Sequence, residues 1–420
     1  MEPVFEEWNA YAKRKVLKPR LIDLDRLISD SNLKIVGVTG IRRSGKSSIL
    51  MLLLQKLQND GKTVAYVNLE DSRISDQKGI LDELIKWFGD SGFLLIDEVT
   101  SVTEWEGWLA RNHELLKGRL NLIVSSSRAS LSKPSKPLRG RALACELYPL
   151  SFKEFLQFSG VEIEYTTAGI GRLERALNDY LDYGGFPEAV LSKDKTDKIR
   201  LLDSYFRDIV GLDVAEISGE NISTVELFGK YVIETSYFSA SKCLNFFKSL
   251  GHKIGKQSIL NLEKHSQEGY LFFFVPIFSH SIKDRTQYPR KAYLGDTGFM
   301  RAVRGKTDIG RLFENAVYLE LKRHKKATQE IYYYRNKDGS ESDYVLTEGL
   351  KVKTIIQVTS DLENEKTKER ETHGLVECAK ETGLKEGLII TKDKEGREEI
   401  EGIKINFVPL RKWLLEEKEN

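Results

Sequence analysis

The sequence lacks nearly everything that marks a secreted, fibrous or membrane-embedded chain. Its three cysteines, Cys145, Cys243 and Cys378, are scattered over 420 residues in no metal-ligand spacing. That usage excludes a disulfide framework and a zinc cluster and predicts buried free thiols. Its longest apolar runs, residues 271–278 among them, fall far short of the roughly 20 residues that a membrane span needs. The start, Met1-Glu2-Pro3-Val4-Phe5-Glu6-Glu7, has neither the basic nor the apolar region of a secretory signal, so a cytoplasmic protein without membrane contact is expected. An excess of one charge is missing too. With 65 basic and 63 acidic residues the net charge is +2, so any basic surface for nucleic acid must be local. Internal repeats and low-complexity segments are also lacking. What remains is 40% hydrophobic and 30% charged, the balance of a soluble globular protein, and the length predicts two to four domains.

The most informative stretch is Lys34-Ile35-Val36-Gly37-Val38-Thr39 followed by Gly40-Ile41-Arg42-Arg43-Ser44-Gly45-Lys46-Ser47. The first part is a short β-branched apolar run that reads as a buried parallel strand. The second matches G-x-x-x-x-G-K-[ST] in full. Ser48 and the apolar residues from Ile49 to Leu57 then predict a helix that stops at Asn59-Asp60-Gly61. The glycines let the backbone approach phosphates, and the helix N-terminus adds a favourable dipole. Residues Gly40, Ile41, Arg42, Arg43, Ser44, Gly45, Lys46, Ser47 and Ser48 are the candidate nucleotide-binding set. Lys46 is expected to neutralise the β- and γ-phosphates of ATP and Ser47 to ligate Mg²⁺.

A second apolar run, Phe93-Leu94-Leu95-Ile96, ends in Asp97-Glu98. Carboxylates at the C-terminal end of such a strand face the crevice where α/β folds bind ligands. Asp97 is the candidate Mg²⁺ holder, through water, and Glu98 the candidate general base for hydrolysis. Residues 63–69 and 121–124 read as further strands. The latter ends in Ser125-Ser126-Ser127-Arg128, where Ser125, or secondarily Ser127, is a candidate for orienting water or sensing the γ-phosphate. The alternative is a plain serine turn. Beyond the proline-rich Lys133-Pro134-Ser135-Lys136-Pro137, the run Leu138-Arg139-Gly140-Arg141 offers Arg139 and Arg141. Either is a finger reaching a γ-phosphate, in cis or from a neighbouring subunit, or a member of a structural ion pair.

Several stretches resemble a prokaryotic group of AAA-superclass ATPases whose C-terminal domain is similar to PD-(D/E)XK nucleases. They are Leu147-Tyr148-Pro149-Leu150-Ser151-Phe152-Lys153-Glu154-Phe155-Leu156, Tyr183-Gly184-Gly185-Phe186-Pro187-Glu188, Phe206-Arg207-Asp208-Ile209 and Leu294-Gly295-Asp296-Thr297-Gly298. The resemblance runs from about residue 20 to residue 412. It implies the strand order of that superclass, nucleotide at the edge of the sheet, and a helical lid after the core. Lys46, Ser47, Asp97 and Glu98 match the group without departure.

Residues 220–290 carry three helical patterns, an apolar strand at 271–278 and a basic loop with Lys283, Arg285, Arg290 and Lys291, which is the order of a winged helix. Lys253, Lys256 and Lys264 are candidates to meet DNA phosphates, with the loop as wing, so DNA through residues 253–291 is the candidate nucleic-acid contact. The alternative is a packing or protein-interaction unit. In the last domain Glu314 and Asp343 match the resemblance's acids. Ile331-Tyr332-Tyr333-Tyr334-Arg335 and Ser342-Asp343-Tyr344-Val345-Leu346 pair as a hairpin. The next strand, Thr354-Ile355-Ile356-Gln357-Val358-Thr359, carries Gln357 and Thr359 where Glu-x-Lys is implied. One metal ligand and the charge-stabilising lysine are missing, so a degenerate fold is expected, with Glu314 and Asp343 left to hold a metal weakly. The charged residues 361–370 read as a solvated helix face with i,i+4 pairs, residues 387–391 and 405–409 as closing strands, and residues 416–420 as a frayed tail.

The expected architecture is a multidomain α/β protein. An arm (1–33) precedes an AAA-like P-loop core (34–150), a helical lid (151–219), a winged-helix-like domain (220–290) and a degenerate restriction-endonuclease-like domain (291–420). The expected function is Mg²⁺-dependent ATP hydrolysis coupled to domain movement. Its rivals are a nucleotide-gated DNA- or protein-binding module with negligible turnover and an ATP-dependent nuclease. A protein partner or self-assembly stays open.

Overall fold

The computed structural model describes residues 1–132, 136–349, 351–362 and 365–416. Most of the proline-rich stretch at 133–137 and of the tail at 416–420, and two positions of the charged stretch at 361–370, therefore lie outside the described residues. The chain divides into two compact units, residues 1–148 with 268–270 and residues 149–267 with 271–420.

The first unit is built on a five-stranded parallel sheet: β1 (Ile35–Thr39), β2 (Val64–Asn68), β3 (Gly92–Asp97), β4 (Leu120–Ser126) and β5 (Ala142–Glu146), in the order β2-β3-β4-β1-β5. Every residue of β1 is buried, as a central parallel strand covered on both faces must be. The helix Lys46–Asn59 follows β1 and buries Ile49, Leu50, Leu53, Leu54 and Leu57. Their three- and four-residue spacing forms one apolar stripe against Val36, Val38, Tyr66 and Leu95. On the other face Leu94, Ile96, Leu122 and Val124 pack with Leu84, Trp108 and Leu109.

Residues 1–33 are not an arm. The helix Glu2–Arg14 buries Phe5, Asn9 and Ala12, and the helix Leu24–Ser31 buries Leu27 and Ser31. The Asn9 side chain accepts the Tyr66 backbone N–H at 3.2 Å, and the Trp8 indole donates to Asp71 at 3.0 Å. Their amphipathic spacing makes them part of the sheet's cover. Strand β5 was not legible as a strand because it lies at the sheet edge with most of its residues half-exposed or exposed. Its apolar residues, Ala142 to Cys145, are small apart from Leu143 and show no alternation.

In the second unit, residues 151–219 form successive helices starting at Ser151. Its hydroxyl and the Glu154 carboxylate cap each other's backbone N–H groups. Residues 222–294 follow as helix Ile222–Glu234, strand β6 (Tyr237–Phe238), helices Ala240–Ser249 and Lys256–Glu268, and strands β7 (Phe272–Val275) and β8 (Arg290–Leu294). The three strands form an antiparallel sheet in the order β6-β8-β7. The expected basic loop is corrected here. Residues Ile282–Gln287 are helical, and Arg290 and Lys291 lie in β8. Arg290 is ion-paired with Glu263 and Lys291 is buried, so neither stands free on a wing.

The last part holds β9 (Gln329–Arg335), β10 (Glu341–Glu348), β11 (Lys351–Val358), β12 (Glu386–Thr391), β13 (Gly396–Ile400) and β14 (Ile403–Pro409), in the order β13-β14-β12-β11-β10-β9. The β9–β10 and β10–β11 pairs are antiparallel, while β11–β12 and β12–β14 are parallel. The helix Glu365–Thr382 covers one face with Leu375, Val376, Cys378 and Ala379. Its charged start reaches outward, where Lys368 pairs with Glu398 of β13 and Arg370 with Glu371. These pairs do not follow the expected i,i+4 spacing. All three cysteines are free.

Candidate nucleotide site

The register of the first sheet decides which side chains meet. Val38 of β1 pairs with Ser125 of β4, and Ile96 of β3 with Val124. Adjacent parallel strands therefore end at one level, and the loop after β1 opens beside Asp97, Glu98 and Ser125. Gly45 sits at φ +101° just before the helix, a left-handed conformation costly for residues with a Cβ. The helix has no side-chain cap at its N-terminus, which leaves its first N–H groups to a ligand. Gly40 has a further reason besides the expected one. A Cβ there would stand 2.0 Å from the Leu147 carbonyl oxygen, at the point where the chain leaving β5 bonds Thr39. That glycine also serves strand packing.

The Lys46 ammonium is 4% exposed and lies 3.5 Å from Glu98 Oε1. Its other contact is the Ile41 carbonyl at 3.3 Å. Glu98 itself has φ +49°, a conformation uncommon for a non-glycine residue. It is held there from two sides: its backbone N–H donates to Ser125 Oγ at 2.9 Å, and its Oε2 accepts the Ser127 N–H at 3.0 Å. Asp97 is fully buried and accepts hydroxyl hydrogens from Tyr66 at 2.8 Å, from Ser125 and from Ser47. Burial and the neighbouring Glu98 push the Asp97 carboxyl up, while the three hydroxyls pull it back. Burial, reinforced by Asp97, drives the Tyr66 phenol far above its usual range, so it remains a donor.

Several expected residues thus come together: Lys46, Ser47, Asp97, Glu98 and Ser125. The Ser125 hydroxyl is spent on Asp97 and the Glu98 N–H. That corrects its expected sensing role, because it braces the acids instead of facing a ligand. Ser127 meets Glu98 through its backbone N–H. Arg139 and Arg141 do not reach the site in cis. Ile35, the first residue of β1, donates its N–H to the Arg141 carbonyl, and Ala142 pairs with Ile35. The two arginines therefore lie at the end of the sheet opposite the phosphate loop, about 15 Å away for a strand of this length. Arg141 pairs there with Glu114 at 3.3 Å. In the loop, Arg42 pairs with Glu70 at 2.8 Å and Arg43 is exposed at φ +69°.

Sequence reasoning missed the supports of the loop. Arg20 donates to the Ser44 carbonyl at 2.7 Å and to the Tyr148 carbonyl at 3.0 Å, bracing the loop from behind. Tyr270, at φ +58°, places its hydroxyl 3.2 Å from Thr39 Oγ1 and donates to Glu146 at 3.2 Å. A lone arginine and a lone tyrosine carry no spacing signal. The donor set fits a magnesium–nucleotide. The buried Ser44 hydroxyl has no partner, the helix start is uncapped, and the Asp97 carboxylate lies beside Ser47.

The second expected cluster is also assembled, with an addition. Asp343 accepts the Val358 N–H at 2.7 Å, and its own N–H donates to Gln357 Oε1 at 3.1 Å. The β9–β10 pairing shifts register between Ser342 and Val345, a bulge that re-aims the Asp343 side chain. Glu314 stands nearby on the helix Ile309–His324. Into this group β8 sends Lys291, whose Nζ lies 2.9 Å from Glu314, 2.7 Å from Glu341 and 2.6 Å from Asp343. Burial alone would lower the Lys291 ammonium, but the three carboxylates outweigh it and hold it charged. Among the described residues no group of three or more His, Cys, Asp or Glu side chains is arranged to hold a metal. The expectation that Glu314 and Asp343 retain a metal is corrected accordingly, since a lysine fills their common focus.

Residues 32–156 match the family model of an AAA domain. Residues 174–309 and 309–413 match two domains of unknown function, DUF8612 and DUF4143. Over 414 residues the chain is 32% identical to the uncharacterized protein MJ1544 of Methanocaldococcus jannaschii, covering 95% of this chain and 92% of that protein. It is 26% identical over 401 residues to an uncharacterized protein of Haemophilus influenzae, covering 90% and 94%. Among solved structures, AMPPCP-bound DnaA from Aquifex aeolicus is 14% identical with a TM-score of 0.28, covering 58% of this chain and 86% of that one. Among the described residues no helix is long and apolar enough to cross a membrane. With a P-loop on a parallel α/β sheet in residues 32–156 and matches to DUF8612 and DUF4143 after it, the chain belongs to the family of MJ1544.

Proposed function

We propose that the chain is a Mg²⁺-dependent ATPase whose nucleotide state sets the position of the helices at 151–219 as a lid. The observation that carries this reading is the buried ion pair between Lys46 and Glu98 at 3.5 Å, directly above the uncapped helix start. An ammonium shared with a carboxylate is drawn away by a triphosphate, which carries more charge. Lys46 then neutralises the phosphates, and Glu98 is released to accept a proton from the attacking water. Ser47 and Asp97 are the residues that would hold Mg²⁺, which when bound offsets charge on the phosphate oxygens. Ser125 and Ser127 keep Glu98 aimed at the crevice. Arg139, exposed at the far end of the sheet, is left to act on a neighbouring copy.

The test is steady-state phosphate release. Glu98→Gln is expected to lose about 10²–10⁴-fold in turnover while still binding ATP. Lys46→Ala is expected to lose binding itself. Equal rates for the intact protein and Glu98→Gln sink the catalytic role and leave a nucleotide-gated binding module.

A second reading concerns residues 222–294. Their order, helix-strand-helix-helix-strand-strand with the short helix Ile282–Gln287 inserted between the last two strands, is that of a winged helix apart from the insertion, and Lys253, Lys256 and Lys264 are exposed. We infer a DNA phosphate contact through these lysines. Replacing all three with alanine is expected to flatten the salt dependence of DNA binding, and an unchanged slope removes the reading. The six-stranded part, with Gln357 and Thr359 in place of Glu-x-Lys, is read as a nuclease-like fold without the chemistry.

A further inference from the structure

The focus of the second cluster is occupied by the chain itself. Lys291 is 4% exposed, and one oxygen each of Glu314, Glu341 and Asp343 lies within 2.6 to 2.9 Å of its Nζ. The four side chains come from three elements: Lys291 from the three-stranded sheet, Glu314 from the helix Ile309–His324, and Glu341 and Asp343 from β10. On β8, Tyr293 lies two residues beyond Lys291, on the same face, and its hydroxyl also donates to Glu314 at 2.6 Å. The cluster opens into a cavity of about 930 Å³ that Arg311 and Arg370 also line, so a small ion has a route to it.

Carboxylate oxygens converging on one point are the donors that Mg²⁺ takes alongside its waters, at about 2.0–2.1 Å. Here the same convergence is held open to ammonium distances. Three carboxylates facing one point without a cation, Asp343 buried and Glu314 and Glu341 half-buried, carry a repulsion and desolvation cost. Either a metal or a lysine must meet it. The peptide N–H of Val358 and the Gln357 side chain already fix Asp343 from the other side, so the acids have little freedom to disperse.

We propose that Lys291 is a built-in cation that occupies a divalent-cation position between β8 and β10 and keeps it metal-free. The three-stranded sheet thereby plugs a site belonging to the six-stranded one, and removing the Lys291 ammonium leaves a carboxylate cluster for one Mg²⁺ or Mn²⁺. The proposal stands on these four side chains and is independent of the ATPase reading.

The test is Mn²⁺ binding to the nucleotide-free full chain, followed by the loss of the free-ion paramagnetic resonance signal. The intact protein is expected to show no site sensitive to Asp343→Asn. Lys291→Met is expected to gain one, at least about tenfold tighter than any site of the intact protein, and Lys291→Met with Asp343→Asn is expected to lose it again. If Lys291→Met is unfolded without metal, millimolar Mn²⁺ is expected to restore its thermal transition by linkage. Three results overturn the proposal: Mn²⁺ binding by the intact protein that Asp343→Asn abolishes, a folded Lys291→Met that takes no Mn²⁺, or a Lys291→Met that Mn²⁺ does not rescue.

Discussion

The buried acids are each held by named partners, and their energetics follow from what each partner supplies. Asp97 is enclosed by the hydroxyls of Tyr66, Ser125 and Ser47, and Ser125 simultaneously accepts the Glu98 N–H. Ser125→Ala therefore removes a donor from one buried carboxylate and an acceptor from a buried N–H. It is expected to cost about 1–3 kcal/mol in urea unfolding, because a buried polar group without a partner carries its full desolvation cost. Tyr66→Phe removes one bond only and is expected to cost less, about 1 kcal/mol or slightly more. Equal effects of the two changes contradict the bracing role of Ser125.

Elements in this chain are brought together by small residues at points of backbone contact. The helix Glu365–Thr382 crosses β10 at Gly374, where a Cβ would meet the Glu341 carbonyl oxygen at 2.1 Å. Gly374→Ala must push the helix off the strand, at a cost of about 1–3 kcal/mol. Because Glu341 is one of the Lys291 partners, the same change is expected to loosen the carboxylate cluster. Thermal unfolding checks the first effect, and hydrogen exchange at residues 341–343 the second. No added exchange there means that the helix does not position Glu341. The same principle explains Gly40 against the Leu147 carbonyl, so a glycine of the phosphate loop is required by a neighbouring strand as well as by its loop.

On the scale of the whole molecule, distant stretches are joined by a buried acid. Asp296 accepts N–H groups of Gly185 at 2.8 Å and Gly298 at 2.9 Å, tying the helical segment to the end of β8. Burial pushes its carboxyl up to about 7, with the two backbone donors pulling down. A raised folded value means that the stability it contributes is present below the ordinary carboxyl range and is lost as pH rises through about 7. The stability of the second unit against unfolding is expected to fall by on the order of 2–4 kcal/mol between about pH 4 and pH 8. Asp296→Asn, which does not titrate, is expected to flatten that slope. Trp413 reports it, since the other tryptophans, at 8, 87, 105 and 108, belong to the first unit. A slope unchanged by Asp296→Asn assigns the pH dependence elsewhere. The amino-acid order alone determined the phosphate loop, the helix behind it and the acid pair after Phe93, because their signals are contiguous and periodic. It also indicated the β9–β10 hairpin and the loss of Glu-x-Lys. Only the tertiary structure decided the rest. Parallel register put Arg139 and Arg141 at the wrong end of the sheet, and edge exposure hid β5. Long-range packing brought Arg20, Tyr66 and Tyr270 to the loop and turned Lys291 from an expected surface charge into a buried cation. Which side chains converge depends on strand order and register, and these are settled by burying both faces of a sheet at once, which no local run of residues encodes.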